Sequence, residues 1–226
     1  RMGQIMQKKG KYKEAEKKFK YIIEINPNSA EVLNSLGVVN KYLGKSNEAI
    51  KNFKEALKIK PNYVDAYYNL ANILYEIRHF DNAEIYYKKV IQLNANHFYA
   101  YNNLGNVYNI QNKIKKAILN FKKSILINKN FYLAYLNLAK VFIKVGFLDE
   151  AVLNLNNTIK LDEKNYEAYN VLGNVYLKKR NYEQALDFYE KAIKINPNFD
   201  TFRPLVHFFL RIVQHSGSQY DPICYK

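Results

Sequence analysis

The chain has 226 residues, a formal net charge of +15, 48% hydrophobic and 15% aromatic residues, and a single cysteine, Cys224. That apolar content excludes global disorder, and one cysteine excludes an internal disulfide or a cysteine-built zinc site and suits an intracellular setting, cytoplasmic or nuclear. No apolar run reaches the roughly eighteen residues of a spanning helix, and the basic balance suits either a solvated exterior or an acidic or nucleic-acid partner.

Met2 and Gly3 already stand in columns filled further on by Leu36-Gly37, Leu70-Ala71, Leu104-Gly105, Leu138-Ala139 and Leu172-Gly173. The chain thus reads as a piece of a longer protein that begins inside a repeating unit, with any targeting signal upstream. The period is 34 residues, and Ala15, Ala49, Ala83, Ala117, Ala151 and Ala185 keep it without exception. A partial unit over 1–29 is followed by full units at 30–63, 64–97, 98–131, 132–165 and 166–199. Pro27, Pro61 and Pro197 share one phase and mark a common helix stop.

Within a unit the apolar residues follow helical spacing. Tyr67, Leu70, Ala71 and Leu74 make a first helix (A), and Phe80, Ala83, Tyr87, Val90 and Ile91 a second (B), antiparallel across a short link. Gly10, Gly44, Asn112 and Gly146 fall in that link, where a left-handed backbone costs Gly or Asn least; Arg78 and Arg180 share the slot and must adopt the turn under strain or form a different one. Gly or Ala in helix A against Ala in helix B lets the two axes approach. Asn40 and Ser46 replace apolar residues in the second unit, which predicts a weak joint or a hinge there. From Asp200 the repeat stops. Pro204 can open a helix over Leu205–Gln214, and 200–226 reads as a cap or as a docking helix that self-associates through Leu205–Val213.

The period, the Leu-Gly/Ala pair, the helix B alanine and the corner proline resemble the tetratricopeptide repeat, over residues 1 to about 199. That resemblance implies an all-α fold, a right-handed superhelix (α-solenoid) of antiparallel helix pairs whose A helices line a concave groove. Asp65–Asn72, DAYYNLAN, is similar to the repeats of O-GlcNAc transferases, although no glycosyltransferase domain accompanies it.

Helical geometry points the polar side of each helix A away from its apolar seam. The candidate peptide-binding residues are Tyr68, Asn69, Asn72, Asn102, Asn103, Asn106, Asn137, Lys140, Asn170 and Asn174. A carboxamide both donates and accepts, so Asn in register could grip the backbone of an extended peptide. The slots at which chaperone-tail readers of this family hold a terminal carboxylate carry no Lys or Arg, which argues against that ligand. The A helices of the five full units carry only +1 of the +15 charge, so the basic excess lies elsewhere and the groove is a poor phosphate track. No Gly-rich phosphate loop, H-E-x-x-H or G-x-S-x-G is present. His79 and His97 are expected at exposed turns.

The expected function is a non-catalytic scaffold that binds a partner protein or extended peptide, with no cofactor, metal or small-molecule substrate and with nucleic acid disfavoured. The alternatives are the substrate-recognition arm of a larger enzyme and a structural subunit of a multiprotein complex.

Overall fold

A computed structural model describes the backbone of residues 2–197 and the side chains from Gly10 onward. The cap expected at 200–226, with Leu205–Val213, lies outside the described residues. Among the described residues there are eleven helices and no strand. They divide between two compact units, residues 1–129 and residues 130 onward.

The first unit holds α1 (Met2–Ile25), α2 (Ala30–Tyr42), α3 (Ser46–Ile59), α4 (Val64–Glu76), α5 (Phe80–Leu93), α6 (Phe98–Ile110) and α7 (Ile114–Ile127). In the second are α8 (Tyr132–Lys144), α9 (Leu148–Leu161), α10 (Tyr166–Lys178) and α11 (Tyr182–Ile195). The A helices α2, α4, α6, α8 and α10 have 13 residues each, and each packs most heavily on the 14-residue B helix that follows it.

Each A helix ends by the same device. The amide of Lys45, His79, Lys113, Phe147 or Asn181 donates to the carbonyl of Asn40, Leu74, Tyr108, Phe142 or Tyr176, at 2.8–2.9 Å. This six-to-one bond needs one left-handed residue inside it. That residue is Gly44 (φ 77°), Arg78 (65°), Asn112 (57°), Gly146 (86°) or Arg180 (58°). Both arginines therefore take the strained conformation that their shared slot demands.

The small helix A column has a measurable cause. A Cβ added to Gly37 would lie 2.5 Å from the Phe53 ring, one on Gly105 2.7 Å from Phe121, and one on Gly173 2.4 Å from Tyr189. Phe53 and Phe121 are fully buried, so the rings have nowhere to retreat.

The link expected at the first repeat is absent. Gly10 was read as a link residue, yet α1 runs through it unbroken. An interior glycine costs a helix only about 1 kcal/mol, and the following turns are anchored. Tyr12 stacks on Tyr42 at 4.8 Å, and the carboxylate of Glu16 accepts from Lys45 at 2.8 Å. Asn40 is 2% exposed in the seam of α2 and α3, and its Oδ1 has no partner.

The polar face of the A helices

In the first unit α2, α4 and α6 lie side by side, and their polar faces bring Asn34, Asn69, Asn72, Tyr68, Asn102, Asn103 and Asn106 into one band. The carboxamides largely bond to one another. Asn69 Nδ2 donates to Asn34 Oδ1 at 3.0 Å, and Asn103 Nδ2 donates to Asn72 Oδ1 at 3.0 Å and to the Tyr68 hydroxyl at 3.2 Å. Asn102 Nδ2 donates to Asn103 Oδ1 at 3.1 Å. The Tyr87 hydroxyl, on α5, closes the chain by donating to Asn72 Oδ1 at 2.6 Å. A group with both a donor and an acceptor, repeated at each helix spacing, pairs head to tail with its neighbour. In-register asparagine thus joins one repeat to the next before any ligand arrives.

Asn106 differs, making no side-chain hydrogen bond among the described residues. The reason lies fifteen residues on. Tyr87 serves Asn72, and Tyr189 donates to Asn174 at 2.8 Å in the second unit, but Asn106 faces the register of Phe121, which has no hydroxyl. Asn102 and Asn170, expected on the open face, are only 4% and 8% exposed. Their column packs rather than faces outward, since Leu136 at the same register is 1% exposed. In the second unit α8 carries Asn137 and Lys140, both half-buried, and α10 carries Asn174; the Lys140 ammonium donates to Glu167, so its charge is already met.

His97 was expected to be exposed. It is half-buried and belongs to this band. Its ring lies 4.7 Å from that of Tyr68 and 6.3 Å from that of Tyr99, and its Nδ1 caps α6 by accepting from the Ala100 amide at 3.1 Å. Burial pushes the imidazole below its ordinary pKa. A neutral ring with Nδ1 as acceptor carries its proton on Nε2. The signal available in the sequence was its column, since Ser29 and Asn165 at the same register also cap their helices. Burial likewise raises the pKa of the Tyr68 and Tyr87 hydroxyls, keeping both protonated. The band is therefore neutral, rich in carboxamide and phenol, and edged at the start of α4 and α6 by exposed Asp65 and Tyr99.

The tetratricopeptide-repeat model matches residues 64–97, 98–131 and 166–199, and a second model of the same repeat matches 41–77. Together these spans exceed half of the chain. The chain belongs to the tetratricopeptide-repeat family. Its fold is the helical, protein-binding repeat of that family. Both models match the repeat itself and add nothing to the O-GlcNAc transferase likeness.

Solved structures of similar fold include YrrB, described as a TPR protein with an unusual peptide-binding site. It is 21% identical, with a TM-score of 0.65 over 86% of this chain and 97% of that one. MamA is 25% identical, with a TM-score of 0.67 over 72% and 95%. PilF of Pseudomonas aeruginosa is 19% identical, with a TM-score of 0.75 over 94% of each. A search of curated proteins finds no match. No helix among the described residues is long and apolar enough to cross a membrane.

Proposed function

We propose that this tetratricopeptide-repeat chain is a non-catalytic scaffold that takes an extended peptide of a partner protein across the polar face of its A helices. The observation that carries the proposal is the mixed state of the band. Most carboxamides are held rigid by one another, while Asn106 keeps its amide for a ligand, on the same helix as exposed Tyr99 and seven residues from it. Pre-ordered polar groups lower the entropy cost of binding. The naming of YrrB for a peptide-binding site supports the same use of this fold. A single amide contact contributes only about 1 kcal/mol, so the aromatic surface must supply most of the affinity.

The test is direct. The full chain is screened against an array of unrelated extended peptides, and the best binder is measured by fluorescence anisotropy against Asn106→Ala and Tyr99→Ala. Both substitutions are expected to weaken binding several-fold and to leave the melting curve unchanged. Unaltered affinity in both variants removes this face from the function.

A further inference from the structure

We propose that the outer side of α7 is a second docking surface, built for an acidic amphipathic helix of a partner protein. Helix α7, IKKAILNFKKSILI, buries Ala117, Phe121 and Ser124 against the first unit and turns a continuous exposed strip outward. Lys115, Leu119, Lys122 and Leu126 follow one another at i, i+4, i+7 and i+11, flanked by Lys116 and Lys123. Leu119 and Leu126 are 67% and 65% exposed, among the most exposed large apolar side chains described.

Other B helices show what is missing. In α5 Lys88 pairs with Glu84 at 2.6 Å, and in α11 Lys191 pairs with Asp187 at 2.7 Å, each one turn apart. At the same registers α7 keeps both lysines, as Lys122 and Lys123, but has Ile118 and Leu119 where the carboxylates stand. It contains four lysines and no acidic residue. Lys115, Lys122 and Lys123 form no ion pair among the described residues, and Lys116 lies over the Tyr108 ring at 5.6 Å. Exposed Leu119 thus stands where α11 places Asp187, half-buried Ile118 stands where α5 places Glu84, and the lysines beside them are unneutralised.

The chemistry that completes this strip is a carboxylate-bearing surface with apolar residues in step. Leu119 and Leu126 are separated by two helical turns, about 10 Å along the axis, the spacing at which a second helix presents successive core residues. Lysines to either side then meet glutamates flanking that core. An anionic membrane would also attract the lysines, but it has no register to match the two leucines. The surface belongs to a B helix and is independent of the A-helix face.

A synthetic helical peptide of about five turns, with leucines at i and i+7 and glutamates on both flanks, is the probe. A permuted peptide of the same composition and vesicles of phosphatidylcholine with phosphatidylserine are the controls. The patterned peptide is expected to bind the full chain about ten-fold more tightly than the permuted one. K122E/K123E and L119Q/L126Q should each abolish most of that preference, while Asn106→Ala leaves it intact. All four changed side chains are exposed, and unchanged far-UV circular dichroism and melting verify that the variants fold. Equal binding of the two peptides, indifference to both double variants, absence of peptide binding, or association with the vesicles alone each overturns the proposal.

Discussion

Replacing Gly105 with alanine places a methyl carbon 2.7 Å from Phe121 Cε1, 2.9 Å from Cδ1 and 3.0 Å from Cζ. Carbon atoms in contact sit at about 3.5–4.0 Å, so the ring or the helix must yield by close to 1 Å. Phe121 is fully buried, and overpacking of this kind costs about 1–3 kcal/mol. Alanine offsets roughly 1 kcal/mol of this through its better helix propensity. Ala71 stands at the register of Tyr87, so a methyl and a ring coexist once the helices are spaced for both, which keeps the expected net loss at about 1 kcal/mol. The chain also contains the other solution, since Ala139 stands at the register of Leu155. Gly105→Ala combined with Phe121→Leu should therefore cost less than the sum of the single changes, with a coupling of about 1 kcal/mol. Denaturant unfolding of the four proteins, followed by far-UV circular dichroism, measures it. A neutral or stabilising Gly105→Ala, or strict additivity of the pair, refutes the close-approach account of this column.

Three further changes follow from the same seams. Asn40→Leu removes a buried carbonyl oxygen without a partner and restores the residue type of Leu74 at that register, so the unfolding midpoint should rise by the equivalent of about 1–2 kcal/mol; a fall would show that the seam depends on the amide. Arg180→Gly relieves a left-handed arginine, and its thermal unfolding should show about 0.5–1 kcal/mol of added stability after the greater entropy of glycine in the unfolded chain is counted. Burial raises the Glu84 pKa, but hydrogen bonds from Lys88 and Lys113 outweigh it and hold the carboxyl at about 2, below its ordinary 4.5. Its stabilising effect is complete above pH 4.5 and is lost as the pH falls towards 2, up to about 3 kcal/mol in all. Unfolding free energies of Glu84→Gln measured across that interval should show a flatter pH dependence than those of the parent chain.

Period, helix pairing and the identity of the seam residues were legible from residue columns alone, because each repeat must present the same small and large side chains to the next. The slot of the strained turns was legible too, since one position in every repeat needs a left-handed backbone, but only the structure shows that Arg78 and Arg180 take that conformation instead of a different turn. Gly10 misled because a glycine marks a turn only when the flanking chain closes on itself, and in α1 it does not. The candidate face was half legible. Helical spacing selected its columns, but the turn from the fifth to the sixth position, about 100°, separates packed Asn102 from half-buried Asn103. Only the tertiary structure could show that the asparagines bond to each other, that Tyr87 occupies Asn72 while Phe121 leaves Asn106 without such a partner, and that His97 is folded into the band. Those outcomes depend on side chains some 15 to 35 residues apart in sequence meeting across helices. A column of identical residues names the chemistry available, whereas the distance between neighbouring columns decides whether that chemistry is used up internally or left for a ligand.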